Sequence, residues 1–218
     1  MEPRARGAKR RLSRRRRALY VALEGIDGAG KSTIQRRVAA LLRRRGWRVR
    51  TRREPSDPEL GRYAQSLGPR APWTGAVFFT IDRYLALPGL VEDLRRSDLV
   101  LSDRSFWSTM AYQGSALAAP DRRRLLAIER GATIAPDMVV WLDLPVADAL
   151  ERVRGRRRAR APLERARVLR RVARAYRSFS AQRRWRRFDA RESPSALANR
   201  IACTISRARP RPTRAPRV

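Results

Sequence analysis

Gly25, Gly30, Lys31 and Ser32 fall at fixed spacing in the run GIDGAGKST, preceded by the apolar residues 18–23 and followed by a helical pattern. Their types suit one task. Glycines let backbone N–H groups crowd around phosphate oxygens, and a helix N-terminus behind them adds about half a unit of positive charge. A lysine at the seventh position can reach β- and γ-phosphates, and the next hydroxyl can ligate Mg²⁺. The strand, loop and helix order that this chemistry requires is present. It predicts a nucleoside triphosphate cradled by Gly25, Ile26, Asp27, Gly28, Ala29, Gly30, Lys31, Ser32 and Thr33.

Two further groups could complete such a site. Asp103 ends the apolar run Leu99-Val100-Leu101-Ser102, where a phosphoryl-transfer enzyme needs a carboxylate for the Mg²⁺ or its water. Arg104 follows it, with the planar fork that grips phosphate through two bonds. Arg53-Glu54-Pro55 closes another alternating segment, 47–51. In an α/β sheet ligands gather at the carboxyl ends of the strands, so all three motifs would meet there.

The elements that must hold these residues alternate. Strands are expected at 18–23, 47–51, 99–102, 138–142 and, weakly, 188–190. Helices are expected at 33–45, about 58–67, 73–96 with Pro88-Gly89 as a place for a kink, 108–112, 121–131, 146–153, 163–185 and 194–206. Alternation of this kind predicts an α/β domain: a five-stranded parallel sheet with helices on both faces.

Composition narrows the chemistry. The 218 residues carry a net charge of +32, almost all of it arginine, and the only lysines are Lys9 and Lys31. Histidine is absent, which removes the usual general base, and the lone cysteine, Cys203, leaves no intramolecular disulfide or metal cluster. The arginine excess predicts nonspecific affinity for nucleic acid as a side effect. No apolar run approaches a membrane span, and the N-terminal stretch lacks a signal's apolar core, so a cytoplasmic protein is expected. Residues 1–17 and 207–218 read as disordered basic arm and tail around one domain at 18–206.

From about residue 20 to 206 the chain resembles the thymidylate kinase family. GIDGAGKST, REP, FFTIDR, DRSFWSTMAYQG and PDMVVWLDL stand in the family's order, and the block 103–114 is close to diagnostic of its bacterial members. The resemblance implies a P-loop kinase fold and transfer of the γ-phosphoryl of ATP to dTMP, with Mg²⁺ held at Ser32 and Asp103. It implies that Asp27 faces the acceptor's sugar and phosphate and that Arg104 holds that phosphate. Phe79 would stack on the thymine ring, and Arg83 would donate to its O4 edge. Pro55 would wall the pocket, Thr109 and Gln113 would sit near the base's polar edge, and Tyr112 would crowd the sugar's 2′ position. A homodimer through the helix near 73–96 is implied as well. From the residues alone, two readings remain beside this one: a same-fold kinase with another (deoxy)nucleoside monophosphate acceptor, and a catalytically weak paralogue that binds nucleotide or nucleic acid.

Phosphoryl transfer also needs an arginine at the equatorial oxygens when the site closes. Some thymidylate kinases carry it in the loop after the acidic residue; here that position is Gly28. The arginine-rich segment 154–162 is then the expected lid, as in the bacterial class with a lid arginine, and Arg154 and Arg158 are the expected catalytic groups beside Lys31, Asp27 and Arg104. Three departures from the family bear on selectivity and turnover. Ser56-Asp57-Pro58 replaces the usual glycine pair, the lid lacks the common Asp-Arg-Phe pattern, and strand five is unusually polar, with Arg186-Arg187 before Phe188.

Overall fold

The computed structural model describes residues 18–154 and 162–208. Five strands, β1 (Leu19–Glu24), β2 (Val49–Arg53), β3 (Leu99–Asp103), β4 (Met138–Asp143) and β5 (Trp185–Asp189), form one all-parallel sheet in the order β2-β3-β1-β4-β5. The central strands are apolar along nearly their whole length because both faces are covered. On one face Tyr20 and Val100 pack against Leu90 and Leu94 of helix α3 (Pro72–Arg96). On the other, Val21, Leu23, Leu99 and Leu101 join the main core with Ile34, Val38 and Leu42 of α1 (Lys31–Arg44).

The order places β1 at the centre, with β3 on one side and β4 on the other. Chain direction then puts the end of β1, the end of β3 and the segment after β2 on one edge of the sheet. Leu23 pairs with Asp103 and Arg53 pairs with Asp103, so these three ends are level. The remaining helices are α2 (Pro58–Ser66), α4 (Phe106–Tyr112), α5 (Ala119–Ala132), α6 (Val146–Arg154), α7 (Pro162–Phe179) and α8 (Pro194–Ala208).

Two expectations shift. The helix expected over 163–185 ends at Phe179, and Trp185 opens β5 instead, paired with Val139. Its indole is buried among Trp107, Tyr176 and Phe179, a cluster that only the folded chain assembles. The fifth strand therefore begins three residues earlier than expected, and its exposed arginines are tolerable because β5 is an edge. Arg187 lies over the Trp141 ring and pairs with Asp143. Helix α3 runs on through Pro88 as one element. The arm 1–17 and most of the expected lid lie outside the described residues, while α8 continues two residues past its expected end.

Candidate functional site

Between β1 and α1 the chain makes the tight loop that the glycines allow. Gly25 has φ 150°, and a Cβ there would meet the Leu142 carbonyl oxygen at 2.6 Å, so the loop can lie this close to β4 only without a side chain. Gly28, at φ 93°, is equally constrained: a Cβ would come within 2.8 Å of the Ala149 carbonyl of α6. No side chain, and so no loop arginine, fits at that position. Lys31 is buried and its Nζ donates to the Gly25 and Ile26 carbonyls at 2.9 and 3.1 Å. Burial, and next the Arg104 guanidinium, pull its ammonium down to about 8, against the opposing pull of Asp27 and Asp103.

With a folded value of about 8, the Lys31 ammonium loses its proton progressively as pH rises past 8, and a bound polyphosphate should restore it. Titration with ATP at pH 8.5 should take up roughly two-thirds of a proton more than at pH 7, measured calorimetrically in buffers of different ionisation enthalpy. Equal uptake at both pH values would contradict it.

Beside the loop, Ser32 Oγ donates to Asp103 Oδ2 at 2.5 Å, while Asp103 Oδ1 is buried with no hydrogen-bond partner among the described residues. A hydroxyl and an unsatisfied carboxylate oxygen at a phosphate loop fit Mg²⁺, which takes few protein ligands and completes its shell with phosphate and water. Among the described residues no group of three His, Cys, Asp or Glu side chains could hold a metal by itself.

The other half of the site starts at Arg104, directly after β3. Its φ is 80°, the left-handed region, at a cost of roughly 1–3 kcal/mol for a side-chain-bearing residue. Arg104 N donates to the Leu23 carbonyl at 3.0 Å, which holds this turn against β1. The turned backbone aims the guanidinium at the loop. Nη2 donates to Asp27 Oδ1 at 2.5 Å, Nη1 donates to Ser108 Oγ at 3.0 Å, and the group lies 5.3 Å from the Tyr112 ring centre. Burial pushes the Asp27 carboxyl up, but the Arg104 and Lys31 charges more than offset it and hold the group below its ordinary range. Tyr112 Oη accepts from Asp27 N at 3.1 Å. Asp27 thus stands between two cations, one from the loop and one from the neighbouring strand end.

Arg83, expected to donate to the base's O4 edge, is held from several sides. It is buried, and bonds to Glu54 (2.9 and 2.8 Å), Glu129 (2.5 Å) and Thr109 (3.2 Å) engage four of its five N–H donors. Phe79, half-buried, sits one helical turn before it on α3. Pro55 follows a cis peptide after Glu54 and touches α2 at Gly61, where a Cβ would lie 2.2 Å from the Pro55 ring. Gln113 is half-buried at the end of α4. Arg154 is exposed at the end of α6, and Arg158 lies outside the described residues.

A family model described as thymidylate kinase matches residues 23–201. The chain belongs to the thymidylate kinase family. It is 34% identical over 201 residues to the thymidylate kinase of Synechococcus sp. (strain CC9902), covering 85% of this chain and 96% of that one. The probable thymidylate kinase of Methanopyrus kandleri is 44% identical over 153 residues, covering 66% and 75%. The thymidylate kinase of Parasynechococcus marenigrum is 32% identical over 197 residues, covering 84% and 94%.

The turn at Ser56-Asp57-Pro58 is held without glycines. Buried Asp82, the residue before Arg83, accepts from Ser56 N (2.9 Å), Ser56 Oγ (2.8 Å) and Asp57 N (2.7 Å). Asp57 in turn caps α2 through Glu59 N and Leu60 N. Side-chain bonds hold the turn here. Sequence reasoning missed three buried carboxylates, Glu24, Asp82 and Glu129. Glu24 could have been found, since a charge ending an apolar strand needs a partner. Glu129 could not: within RLLAIERG it reads as a solvent-face residue.

Proposed function

We propose that this chain transfers the γ-phosphoryl group of ATP to dTMP, giving ADP and dTDP. The observation that carries it is the short Arg104–Asp27 contact, which brings a phosphate-gripping arginine to the rim of the Lys31 loop. In this reading the backbone of residues 25–33 and Lys31 hold the donor. Mg²⁺ bound at Ser32 and Asp103 would neutralise charge on the transferring group. Arg104 and Asp27 hold the acceptor phosphate and sugar, and Tyr112 limits space beside the sugar. Phe79, Pro55, Thr109 and Gln113 wall the base pocket, with Arg83 fixed at its floor. A nucleoside monophosphate is already largely deprotonated at pH 7, so its oxygen attacks without a general base, in keeping with a chain free of histidine. Catalysis is alignment and charge stabilisation.

Coupled ADP release with dTMP, dUMP, dCMP, dGMP and UMP tests the reading. The expected order puts dTMP first; dUMP should trail by only about 10–200-fold, because one methyl in an apolar pocket is worth ~1–3 kcal/mol. No ADP release above background with any acceptor would contradict it.

Because Gly28 excludes a loop arginine, the charge at the equatorial oxygens falls to the lid, with Arg154 and Arg158 as its bearers. Replacing both by alanine should lower kcat by about 10³-fold while the KM for ATP changes little. An unchanged kcat would remove the lid from the mechanism.

We further propose that the chain pairs with a second copy through α3 and α5. Val77, Ile81, Tyr84 and Leu85 form an exposed apolar row on α3, and exposed Ile128 lies on α5. A two-fold axis through such a face buries the same residues on both copies. Ile81→Glu with Leu85→Glu should convert a dimer to a monomer in sedimentation velocity; a monomeric wild-type chain at micromolar concentration would contradict this pairing.

A further inference from the structure

Glu24 is the most fully engaged acid of the site, and nothing in the phosphoryl-transfer scheme yet uses it. Its side chain is wholly buried at the end of β1. Oε1 accepts from Ser105 N (2.8 Å) and Ser105 Oγ (2.7 Å), and Oε2 accepts from Ser108 Oγ (2.7 Å) and Tyr176 Oη (2.8 Å). Both serines flank the acceptor arginine. Ser105 is the residue after Arg104, and Ser108 Oγ accepts from Arg104 Nη1 at 3.0 Å. With Arg104 N fixed on Leu23, the left-handed turn is held from both sides.

We propose that Glu24 is a positioning residue for Arg104: it locks the turn through Ser105 and relays to the guanidinium through Ser108. A carboxylate with four donors has no freedom to rotate, so the arginine behind it is preorganised before an acceptor arrives. Tyr176 extends the same node to α7, the helix that follows the segment 155–161. This role rests on the reading that Arg104 grips the acceptor phosphate, and on no property of the donor site.

The test compares steady-state kinetics of Glu24→Gln, Ser108→Ala, Tyr176→Phe and Arg104→Ala with dTMP and ATP varied separately. Glutamine cannot accept at both ends, so the dTMP KM should rise about 30-fold, with the ATP KM within about twofold. Ser108→Ala leaves Glu24 its other three bonds and should raise the dTMP KM about tenfold; Tyr176→Phe keeps both serine links and should raise it least. Should Glu24→Gln fail to fold, Ser108→Ala carries the comparison. A merely structural role would lower Tm and move both KM values together, or neither, and that pattern overturns the proposal. If Arg104→Ala raises the dTMP KM while Glu24→Gln and Ser108→Ala do not, this inference alone fails. If Arg104→Ala leaves the dTMP KM unchanged, the acceptor reading fails with it.

Discussion

Lys31→Met should lower kcat by about 10²–10³-fold, the usual cost of removing one preorganised donor at a developing charge, while making the unliganded chain more stable. Both effects come from the same environment. The ammonium is buried, lies in the field of Arg104 and, among the described residues, bonds two carbonyls of its own loop. Its proton is held less tightly in the folded chain, at about 8, than at the ordinary 10.5. Below pH 8 both folded and unfolded chains carry the charge, and folding bears the full penalty. As pH rises from 8 towards 10.5 the folded chain sheds the proton first and the penalty fades. Met fills similar space without charge, so its Tm should exceed wild type at pH 7 by a few degrees, at about 2–4 °C per kcal/mol for a chain of this size. The difference should narrow by pH 10. A Tm below wild type at pH 7 would contradict this account of the loop, and a retained kcat would contradict the donor site.

The second large effect is expected at Arg104. Arg104→Ala should reduce kcat/KM for dTMP by about 10³-fold, because a planar fork that binds phosphate through two charge-assisted bonds leaves no substitute behind. Arg104→Lys should recover little. One ammonium cannot at once meet Asp27, meet Ser108 and lie over the Tyr112 ring. The ATP KM should change far less, since the donor's backbone cradle is untouched. Steady-state kinetics with each substrate varied in turn reads this directly; equal losses for both substrates would mean that Arg104 supports the loop and does not select the acceptor.

What was legible in the sequence was local. The loop's residue types dictate its geometry, so Gly25 to Thr33 could be read with its strand and helix. Asp103 ends a strand that hydrophobic periodicity alone locates, and its partner Ser32 follows from the loop. Long-range pairing was not legible. Trp185 looks helical beside its arginines, and only its place among Trp107, Tyr176 and Phe179 makes it a strand residue. Arg83 meets Glu54 and Glu129, 29 and 46 residues away, so the two acids that hold it could not be read from the sequence. Gly28 carried half its meaning in sequence, as an arginine that is missing. The other half, that α6 leaves no room for one, needed coordinates.

A bisubstrate ligand examines the whole arrangement at once: adenosine joined to thymidine through five phosphates, titrated against wild type, Lys31→Met and Arg104→Ala. If the Lys31 loop and Arg104 grip the two ends of one phosphate chain, the ligand should compete with both ATP and dTMP, and each substitution should weaken it. Competition with ATP alone, with affinity indifferent to Arg104, would mean that donor and acceptor do not meet at Asp27 and that the chain only binds nucleotide.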